Sequence, residues 1–294
     1  MDKRISQTFE GAPCIRLDET SKIILMSDCH RSTGDLNDNF ANNENIYFTA
    51  LRNYFHMGYT YIELGDGDEL WENRKFSMIS DQNSHIFRLL RQFQHEERLH
   101  IIYGNHDMVK KYPKWRKKNL SVCYSDKVRG NVPLFGDIDI TQGLILQTQS
   151  GRKLYLLHGN QGDLLCDRLW WLGRFLVRNV WRPLELIGLK DPRSTAENRA
   201  KQNIIERRLA LWAKQSGEIM IAGHTHRPHF PTPDKSNPDY CNYYNTGSCV
   251  HPRCITAIEI VGGVISLVKW GIETRKDGTL YIAKEVLESG ELPT

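Results

Sequence analysis

Five short apolar segments, each followed at once by glycine, aspartate or histidine, constrain the fold of this chain more than any other feature. Segments of this length and apolarity predict buried strands. In α/β folds, ligand sites lie at the carboxyl ends of the strands, so we expect the polar residues that follow the five segments to form one site. The predicted strands are Lys22–Ser27, Tyr59–Leu64, Leu99–Tyr103, Lys153–Leu157 and Glu218–Ala222.

Helical segments alternate with these strands. Apolar residues recur with helical spacing in Asn43–His56, and Ser80–Glu97 is predicted to form another helix. A helix-rich section, Leu164–Gln215, separates the last two strands, and the tail Tyr240–Ala283 has the pattern of β structure. This order predicts stacked sheets flanked by helices. We expect a single domain over residues 1–294, in which residues 164–215 form a helical cap insert.

Composition excludes several classes of protein. With 40% hydrophobic and 25% charged residues, the chain is neither disordered nor collagen-like nor a small disulfide scaffold. Its beginning lacks the apolar segment of a secretory signal, and charges interrupt the apolar stretch from Leu164 to Leu189, so we expect no membrane-spanning helix there. The seven cysteines form no dense framework, and we therefore expect free thiols and a cytoplasmic location.

The residues after the strands are oxygen and imidazole donors. This mixture favours manganese, iron or zinc over calcium or magnesium. A carboxylate has two oxygens and could bridge two neighbouring cations. Glycine precedes three of the donors, at Gly65, Gly104 and Gly223, and lets the backbone turn sharply there. The candidate residues are Asp28, His30, Asp66, Asn105, His106, His158, His224 and His226.

The five motifs together closely resemble those of the calcineurin-like metallophosphoesterase family, whose pattern is D-x-H, G-D-x-x-[DE], G-N-H-[DE], H-G and G-H-x-H. In this chain they are Asp28-Cys29-His30, Gly65-Asp66-Gly67-Asp68-Glu69, Gly104-Asn105-His106-Asp107, His158-Gly159 and Gly223-His224-Thr225-His226. The resemblance implies a four-layer α/β/β/α sandwich. It also implies a metal-dependent hydrolase of phosphate esters or pyrophosphates.

The resemblance further implies roles for individual residues. A hydroxide bridging two divalent metals, manganese before iron or zinc, would be the nucleophile. His106 would protonate the leaving oxygen as a general acid, and Asp107 would orient His106. One metal would be held by Asp28, His30, Asp66 and His226, and the other by Asp66, Asn105, His158 and His224.

Other residues are candidates for positioning ligands or binding substrate. Asp68 or Glu69 could orient the ligand histidines, with Glu69 preferred. Arg31 could bind a phosphate oxygen or be an ordinary surface arginine. Residues 164–182 are basic, aromatic and amphipathic, so they could contact a membrane surface or a lipid, or could pack as a cap helix. The substrate-binding candidates are Arg31, Trp170, Trp171 and Arg174.

The helices before the last motif are similar to those of the UDP-diacylglucosamine pyrophosphohydrolase branch, which implies a lipid-linked substrate. A phosphorylated small molecule is the other substrate class that we expect. A phosphatase of phosphoproteins or phosphomonoesters, and a non-catalytic membrane-associated binding module, remain as alternatives.

The formal net charge of +4 is too small to require a nucleic-acid partner, but it conceals a separation of charge. Lys110–Lys118 and Leu164–Gln215 each carry +6, so the rest of the chain carries −8. We expect the acidic remainder to hold cations, and the two basic segments to attract an anionic substrate or membrane surface.

Overall fold

The computed structural model describes residues 2–292 apart from 36, 126–127, 164–165, 168, 182–197 and 232–241. Its helices are α1 (Lys3–Thr8), α2 (Glu44–His56), α3 (Phe76–Gln82), α4 (Ser84–His95), α5 (Pro113–Asn119), α6 (Trp170–Leu176) and α7 (Arg199–Ser216), with 3₁₀ turns at Met108–Lys111 and Asn160–Gly162 and a π-helical turn at Val177–Trp181. Its strands are β1 (Cys14–Arg16), β2 (Lys22–Met26), β3 (Thr60–Leu64), β4 (Leu99–Ile102), β5 (Val122–Ser125), β6 (Gly130–Pro133), β7 (Ile140–Thr141), β8 (Gly143–Gln147), β9 (Lys153–Leu157), β10 (Ile219–Ala222), β11 (Tyr243–Asn245), β12 (Cys254–Val261), β13 (Val264–Thr274) and β14 (Leu280–Glu291).

Two sheets carry the fold. The first has the strand order β14-β13-β12-β2-β3-β4-β7, in which β2, β3, β4 and β7 run parallel. The second has the order β1-β8-β9-β10-β11, in which β9, β10 and β11 run parallel. Because parallel strands end at the same edge, the loops after β2, β3 and β4 lie side by side, as do those after β9 and β10.

Alternate residues of the strands face different apolar clusters. Ile23 and Leu25 of β2 lie in the cluster between the two sheets, whereas Ile24 and Met26 pack with residues of α2 and α4 on the outer face of the first sheet. Residues of α1, α7, β9 and β10 form a third cluster on the outer face of the second sheet. The order of layers is therefore helix, sheet, sheet, helix, and the predicted four-layer sandwich is confirmed.

The five predicted strands are confirmed as β2, β3, β4, β9 and β10, and the helix expected at Asn43–His56 is α2. The helix expected at Ser80–Glu97 is interrupted at Asn83, where α3 ends before α4 begins. The Asn83 side chain donates hydrogen bonds to the carbonyl oxygens of Ser32 and Ile79, both at 2.9 Å, and this turn separates the two helices.

The predicted cap insert contains two kinds of helix. In α7, Ile205, Leu209 and Trp212 are buried against the second sheet, so this helix is an outer layer of the sandwich. The prediction of a cap over 164–215 is therefore wrong for α7 and stays a prediction for the residues before it, of which 164–165, 168 and 182–197 lie outside the described residues. Among the helices that the structure describes, none has the length and apolarity needed to cross a membrane.

Candidate metal centre

The loops at the strand ends bring the predicted ligands together. Their side chains are buried or half-buried. Motifs that are far apart in the sequence are close in space, because the loops that carry them lie at the same edge of both sheets. The residues are Asp28 and His30 after β2, Asp66 after β3, Asn105 and His106 after β4, His158 after β9, and His224 and His226 after β10.

Five of these residues have left-handed backbone conformations. The φ angles are 53° at Asp28, 49° at His30, 51° at Asp66, 68° at His224 and 55° at His226. A non-glycine residue in this region costs about 1–3 kcal/mol and persists only where its surroundings fix it. The strain is therefore concentrated at the residues that turn their side chains into the site.

Each of the two aspartates uses one oxygen to hold a neighbouring loop. Asp28 Oδ2 accepts hydrogen bonds from the Ser27 hydroxyl and, at 2.9 Å, from the backbone N–H of His224. Asp66 Oδ1 accepts a hydrogen bond of 2.8 Å from the backbone N–H of His106. The other oxygens, Asp28 Oδ1 and Asp66 Oδ2, point to the histidines and could bind cations.

The histidines divide into two adjoining groups around these oxygens. Nε2 of His226 lies 3.1 Å from Asp28 Oδ1 and 3.4 Å from Nε2 of His30. Nε2 of His158 lies 3.0 Å from Asp66 Oδ2 and 3.9 Å from Asp28 Oδ1. In each of the two groups the potential ligand atoms lie within 4.8 Å of one another. The groups are Asp28, His30 and His226, and Asp66, His158 and His224.

Two buried acceptor atoms support a metal at this place. Asn105 Oδ1 and His224 Nε2 have no hydrogen-bond partner among the described residues, and such atoms are rare in folded proteins because they are costly. Burial and the positive charge of His158 lower the pKa of His224 to about 3, so this ring keeps a lone pair at neutral pH. The donor set therefore fits divalent cations.

The negative charge at the centre lies on the carboxylates of Asp28 and Asp66. Burial alone would raise the pKa values of Asp28 and Asp66, but the adjacent imidazoles outweigh it and hold both well below the usual range. Burial opposes the protonation of His158, whereas the charges of Asp66 and Asp28 raise its pKa to about 9. Both carboxylates are thus ionised and available to a cation at neutral pH.

His106 lies between Glu69 and Trp71. Its Nδ1 is 2.7 Å from Glu69 Oε2, and the same oxygen is 3.0 Å from Nδ1 of His30. The ring of Trp71 stacks on that of His106, with centroids 4.4 Å apart. Burial opposes protonation, but the carboxylates of Glu69 and Asp66 raise the pKa of His106 to about 10. The ring therefore favours the positively charged form, in which both nitrogens carry a proton.

Asp107 does not have the predicted contact with His106. Its Oδ1 accepts a hydrogen bond of 2.7 Å from the backbone N–H of Gly104, and its Oδ2 accepts one of 3.1 Å from that of Gly67. Asp107 thus ties together the loops after β3 and β4. The prediction that Asp107 orients His106 is therefore wrong, because Glu69 is the carboxylate that contacts His106.

Arg31 lies beneath the centre, with 1% of its side chain exposed. Its guanidinium donates to Glu63 at 2.7 and 3.0 Å and to Asp68 at 2.8 Å. Lys110 is also buried, and its Nζ lies 2.6 Å from Asp107 and 2.7 Å from Asp68. We call these five residues the buried charge network. Because carboxylates already engage its donors, Arg31 is not placed to bind a substrate, contrary to expectation.

The α6 residues predicted to bind substrate do not line the cleft that the structure describes above the centre. Trp170 lies next to Lys111, whose Nζ is 5.1 Å from the centroid of the indole ring, and the side chain of Trp171 is 59% exposed. Arg174 is likewise absent from the lining. From this part of the chain, the cleft is lined by Gly173, Leu176 and Val177.

Arg178, which the sequence did not single out as a binding residue, fixes this segment to the site. Its guanidinium donates hydrogen bonds of 2.9 Å to the carbonyl oxygens of Trp71 and Leu70. Because Trp71 stacks on His106, Arg178 links the segment after α6 to the side of the site where His106 lies.

The amino-acid sequence matches a protein-family model described as calcineurin-like phosphoesterase over residues 21–228. No curated protein matches it significantly. Among solved structures, Vps29 of Chaetomium thermophilum has 11% sequence identity and a TM-score of 0.41, with 94% of this chain and 100% of that chain covered. A hypothetical protein from Thermus thermophilus has 14% identity and a TM-score of 0.30, with 92% and 100% covered.

Proposed function

Because the chain belongs to the calcineurin-like phosphoesterase family, we propose that it hydrolyses phosphate esters or pyrophosphates with the help of two divalent cations. The observation that carries this proposal is the pair of adjoining donor groups around Asp28 Oδ1 and Asp66 Oδ2. When bound, two such cations activate water and stabilise charge on phosphoryl oxygens. Manganese suits the donor set, with iron or zinc as alternatives.

The two groups give each residue a role in holding the cations. Asp28, His30 and His226 would hold one cation, and His158 and His224 the other, with Asn105 supplying an amide oxygen. Asp66 would bridge the two, because its Oδ2 lies 3.0 Å from His158 and 3.9 Å from His30. Glu69 would fix the ring of His30 from the opposite nitrogen.

His106 would donate a proton to the leaving oxygen. Its Nδ1 lies against Glu69, so Nε2 is the nitrogen that can reach a substrate in the cleft. The carboxylate of Glu69, 2.7 Å from Nδ1, favours the protonated ring, from which the leaving oxygen would take the proton. Trp71 stacks on the imidazole and limits its rotation. The chain's own residues thus supply a proton donor that is both charged and oriented.

The experiment compares His106→Gln with the wild-type protein on two aryl phosphates in the presence of manganese. Proton donation matters most for a poor leaving group, so phenyl phosphate hydrolysis should fall at least ~100-fold, and p-nitrophenyl phosphate hydrolysis much less. His95→Gln, at an exposed position on α4, is the control. Equal losses on both substrates would exclude the general-acid role.

Asp66→Asn tests the cations separately. Elemental analysis should show less bound metal than in the wild-type protein, because Asp66 is the proposed bridge. A wild-type protein that binds metal but hydrolyses no phosphomonoester, diester, pyrophosphate or phosphopeptide would favour the non-catalytic binding module. Activity confined to phosphomonoesters or phosphopeptides would favour the corresponding phosphatase.

We further propose that the protein is cytoplasmic and contacts membrane surfaces or lipid-linked substrates through residues 164–182. The support is that Trp171 and Phe175, one helical turn apart on α6, are 59% and 58% exposed. Trp171→Ser/Phe175→Ser should reduce sedimentation with anionic phospholipid vesicles. Met78→Ser, at a position 54% exposed on α3, should not. Equal sedimentation of all three proteins would contradict the contact.

A further inference from the structure

The last strand of the first sheet, β14, has an open edge. It pairs with β13 from Leu280 to Glu291, and no other strand lies beside it in the part of the chain that the structure describes. Such an edge presents backbone N–H and C=O groups with which another chain can pair, and proteins usually block it with proline, charged side chains or a bulge. The segment Leu280–Val286, which we call the edge segment, contains neither proline nor glycine.

The two charged side chains of the edge segment do not block it, because both are held over the sheet. Lys284 Nζ lies 2.9 and 3.1 Å from the two carboxylate oxygens of Glu259 on β12, two strands further in. Glu285 forms an ion pair of 2.5 Å with Lys269 on β13. The bulge of this ladder falls at Leu287, which faces no residue of β13 and lies just beyond the segment. The edge segment is therefore regular and open to pairing.

Hydrogen bonds at the turn between β13 and β14 show which backbone groups point outward. The N–H of Arg275 donates to the carbonyl oxygen of Thr279 at 2.9 Å, so these residues form a hydrogen-bonded pair. Bonded and non-bonded pairs alternate along an antiparallel ladder, so the next pair, Thr274 with Leu280, is non-bonded, and so is every second pair after it. The residues of β14 in these pairs direct their N–H and C=O groups away from β13. In the edge segment they are Leu280, Ile282, Lys284 and Val286.

The same four residues place their side chains on one face of the sheet, because side chains alternate along a strand. This face is apolar at the edge, where Leu280 is 65% exposed, Val286 is 53% exposed, and Ile272 on β13 is 51% exposed. The opposite face is polar, and there Tyr281 donates a hydrogen bond of 3.1 Å to Glu273. Exposed apolar side chains and outward-pointing backbone groups thus lie along one edge, which is typical of a surface that pairs with another strand.

We propose that the edge segments of two copies of this chain pair with each other, antiparallel and about a twofold axis at Ala283. Because Ala283 is the central residue of the segment, this register places every outward-pointing residue opposite another, such as Leu280 opposite Val286. Each such pair exchanges two backbone hydrogen bonds and brings side chains of the apolar face together. At the axis the two copies of Ala283 form a non-bonded pair, in which side chains lie close, and alanine is small enough to fit.

The distribution of charge favours a second copy as the partner. The turn before the edge segment carries Arg275 and Lys276 against one acid, Asp277, whereas the strand after it carries Glu288 and Glu291 and no basic residue. All five residues are exposed. Antiparallel pairing places the basic turn of each copy beside the acidic strand end of the other, so the same attraction forms twice.

Sedimentation-velocity ultracentrifugation of the full chain over a series of concentrations tests the pairing. The edge segment is short compared with stable interfaces of about 20–30 residues a side, so we expect a dimer that dissociates on dilution, with a Kd on the order of 10 µM. Leu280→Pro removes an outward N–H and should raise this Kd by about 10-fold or more, and an edge strand tolerates proline at such a position. Leu280→Thr keeps the N–H and is the matched control, with a smaller effect. Circular dichroism should show that both variants are folded, and equal effects of the two would contradict pairing through the backbone.

Reversal of charge tests the antiparallel arrangement separately. Lys276→Glu and Glu288→Lys should each weaken the dimer, because each places like charges beside one another. Lys276→Glu/Glu288→Lys restores opposite charges across the interface and should dimerise more tightly than either single variant. Lys117→Glu, at an exposed position on α5, is the control and should leave the Kd unchanged. A combined variant that dimerises more weakly than both single variants would overturn the antiparallel arrangement.

Two results would refute the inference as a whole. One is a wild-type protein that stays monomeric at concentrations well above the expected Kd. The other is a dimer that none of the substitutions at the edge segment or its flanks weakens, because such a dimer forms through another surface. Sedimentation measures association without catalysis, so either result leaves the proposed function untouched.

Discussion

Replacing Lys110 by methionine should destabilise the protein through the buried charge network. Lys110 belongs to a run of basic residues, yet its side chain is 2% exposed and its Nζ lies 2.6 Å from Asp107 and 2.7 Å from Asp68. The network has one more negative than positive charge, because three carboxylates face Arg31 and Lys110. Lys110→Met keeps a similar side-chain length but leaves two negative charges unbalanced.

The magnitude follows from the burial of the network. Removing one partner of a buried ion pair costs about 3–5 kcal/mol. For a domain of this size that corresponds to a fall in melting temperature of roughly 10 °C. Asp107 also holds the backbone N–H groups of Gly104 and Gly67, so the loops that carry Asn105 and Asp66 should loosen. We expect metal affinity to fall by about 10-fold or more, as for other groups that support ligands.

Thermal unfolding with and without manganese measures both effects. Lys117→Met, at an exposed position of the same basic run, is the control and should change the free energy of unfolding by less than about 0.5 kcal/mol. Lys110→Met/Asp107→Asn should regain part of the lost stability, because it removes one of the two unbalanced negative charges. The reasoning is refuted when Lys110→Met and Lys117→Met melt at the same temperature.

Three other predictions concern the centre and the fold. Gly104→Ala should reduce both bound metal and melting temperature, because the added Cβ would lie 2.1 Å from Asp66 Oδ1. Gly130→Ala is the control, since its Cβ would meet no atom nearer than 3.9 Å, and equal effects of the two substitutions would contradict the reasoning. Removing metal with a chelator should lower the free energy of unfolding by about 2.7 kcal/mol relative to protein with metal at 100 times its Kd, and an unchanged melting temperature would argue against binding. Burial lowers the pKa of His100 on β4, so the folded state gains this proton at a lower pH than the unfolded chain, and stability is lost as the pH falls below about 6.5. Denaturant titrations between about pH 7.5 and about pH 5 should show that His100→Gln loses less stability than the wild-type protein as the pH falls. The same loss of stability in both proteins would contradict this role of His100.

The strands and the converging ligand loops could be predicted from sequence because both depend on local pattern. In β10 the apolar run ends at Ala222 and the polar turn begins at Gly223, so the end of the strand is visible in the sequence. The glycine is also explained locally, since a Cβ at Gly223 would lie 2.3 Å from Ser27 Oγ. The layer order follows from the alternation of strands and helices.

The partners of His106 and Arg31 could not be predicted in this way. Asp107 is adjacent to His106 in sequence, but adjacency does not fix the direction of a side chain, and Asp107 turns towards backbone N–H groups instead. Arg31 follows His30 but lies beneath the centre. A signal was present at Glu63, a carboxylate within the otherwise apolar strand β3, because a buried charge requires a partner. It predicts a buried cation without identifying Arg31 or Lys110.

The left-handed residues of the centre explain why the five motifs depend on one another. Each left-handed turn would be unfavourable in isolation, yet Asp28, His30, Asp66 and His224 are each held by a hydrogen bond to another motif. The N–H of His30 donates to the carbonyl oxygen of Asp66 at 2.9 Å, and that of Gly223 donates to the carbonyl oxygen of His158 at 2.9 Å. Asp28 accepts from the N–H of His224 and thereby joins the two sheets. Loosening one loop therefore weakens the backbone of the next, so a substitution such as Gly104→Ala should affect both donor groups rather than one.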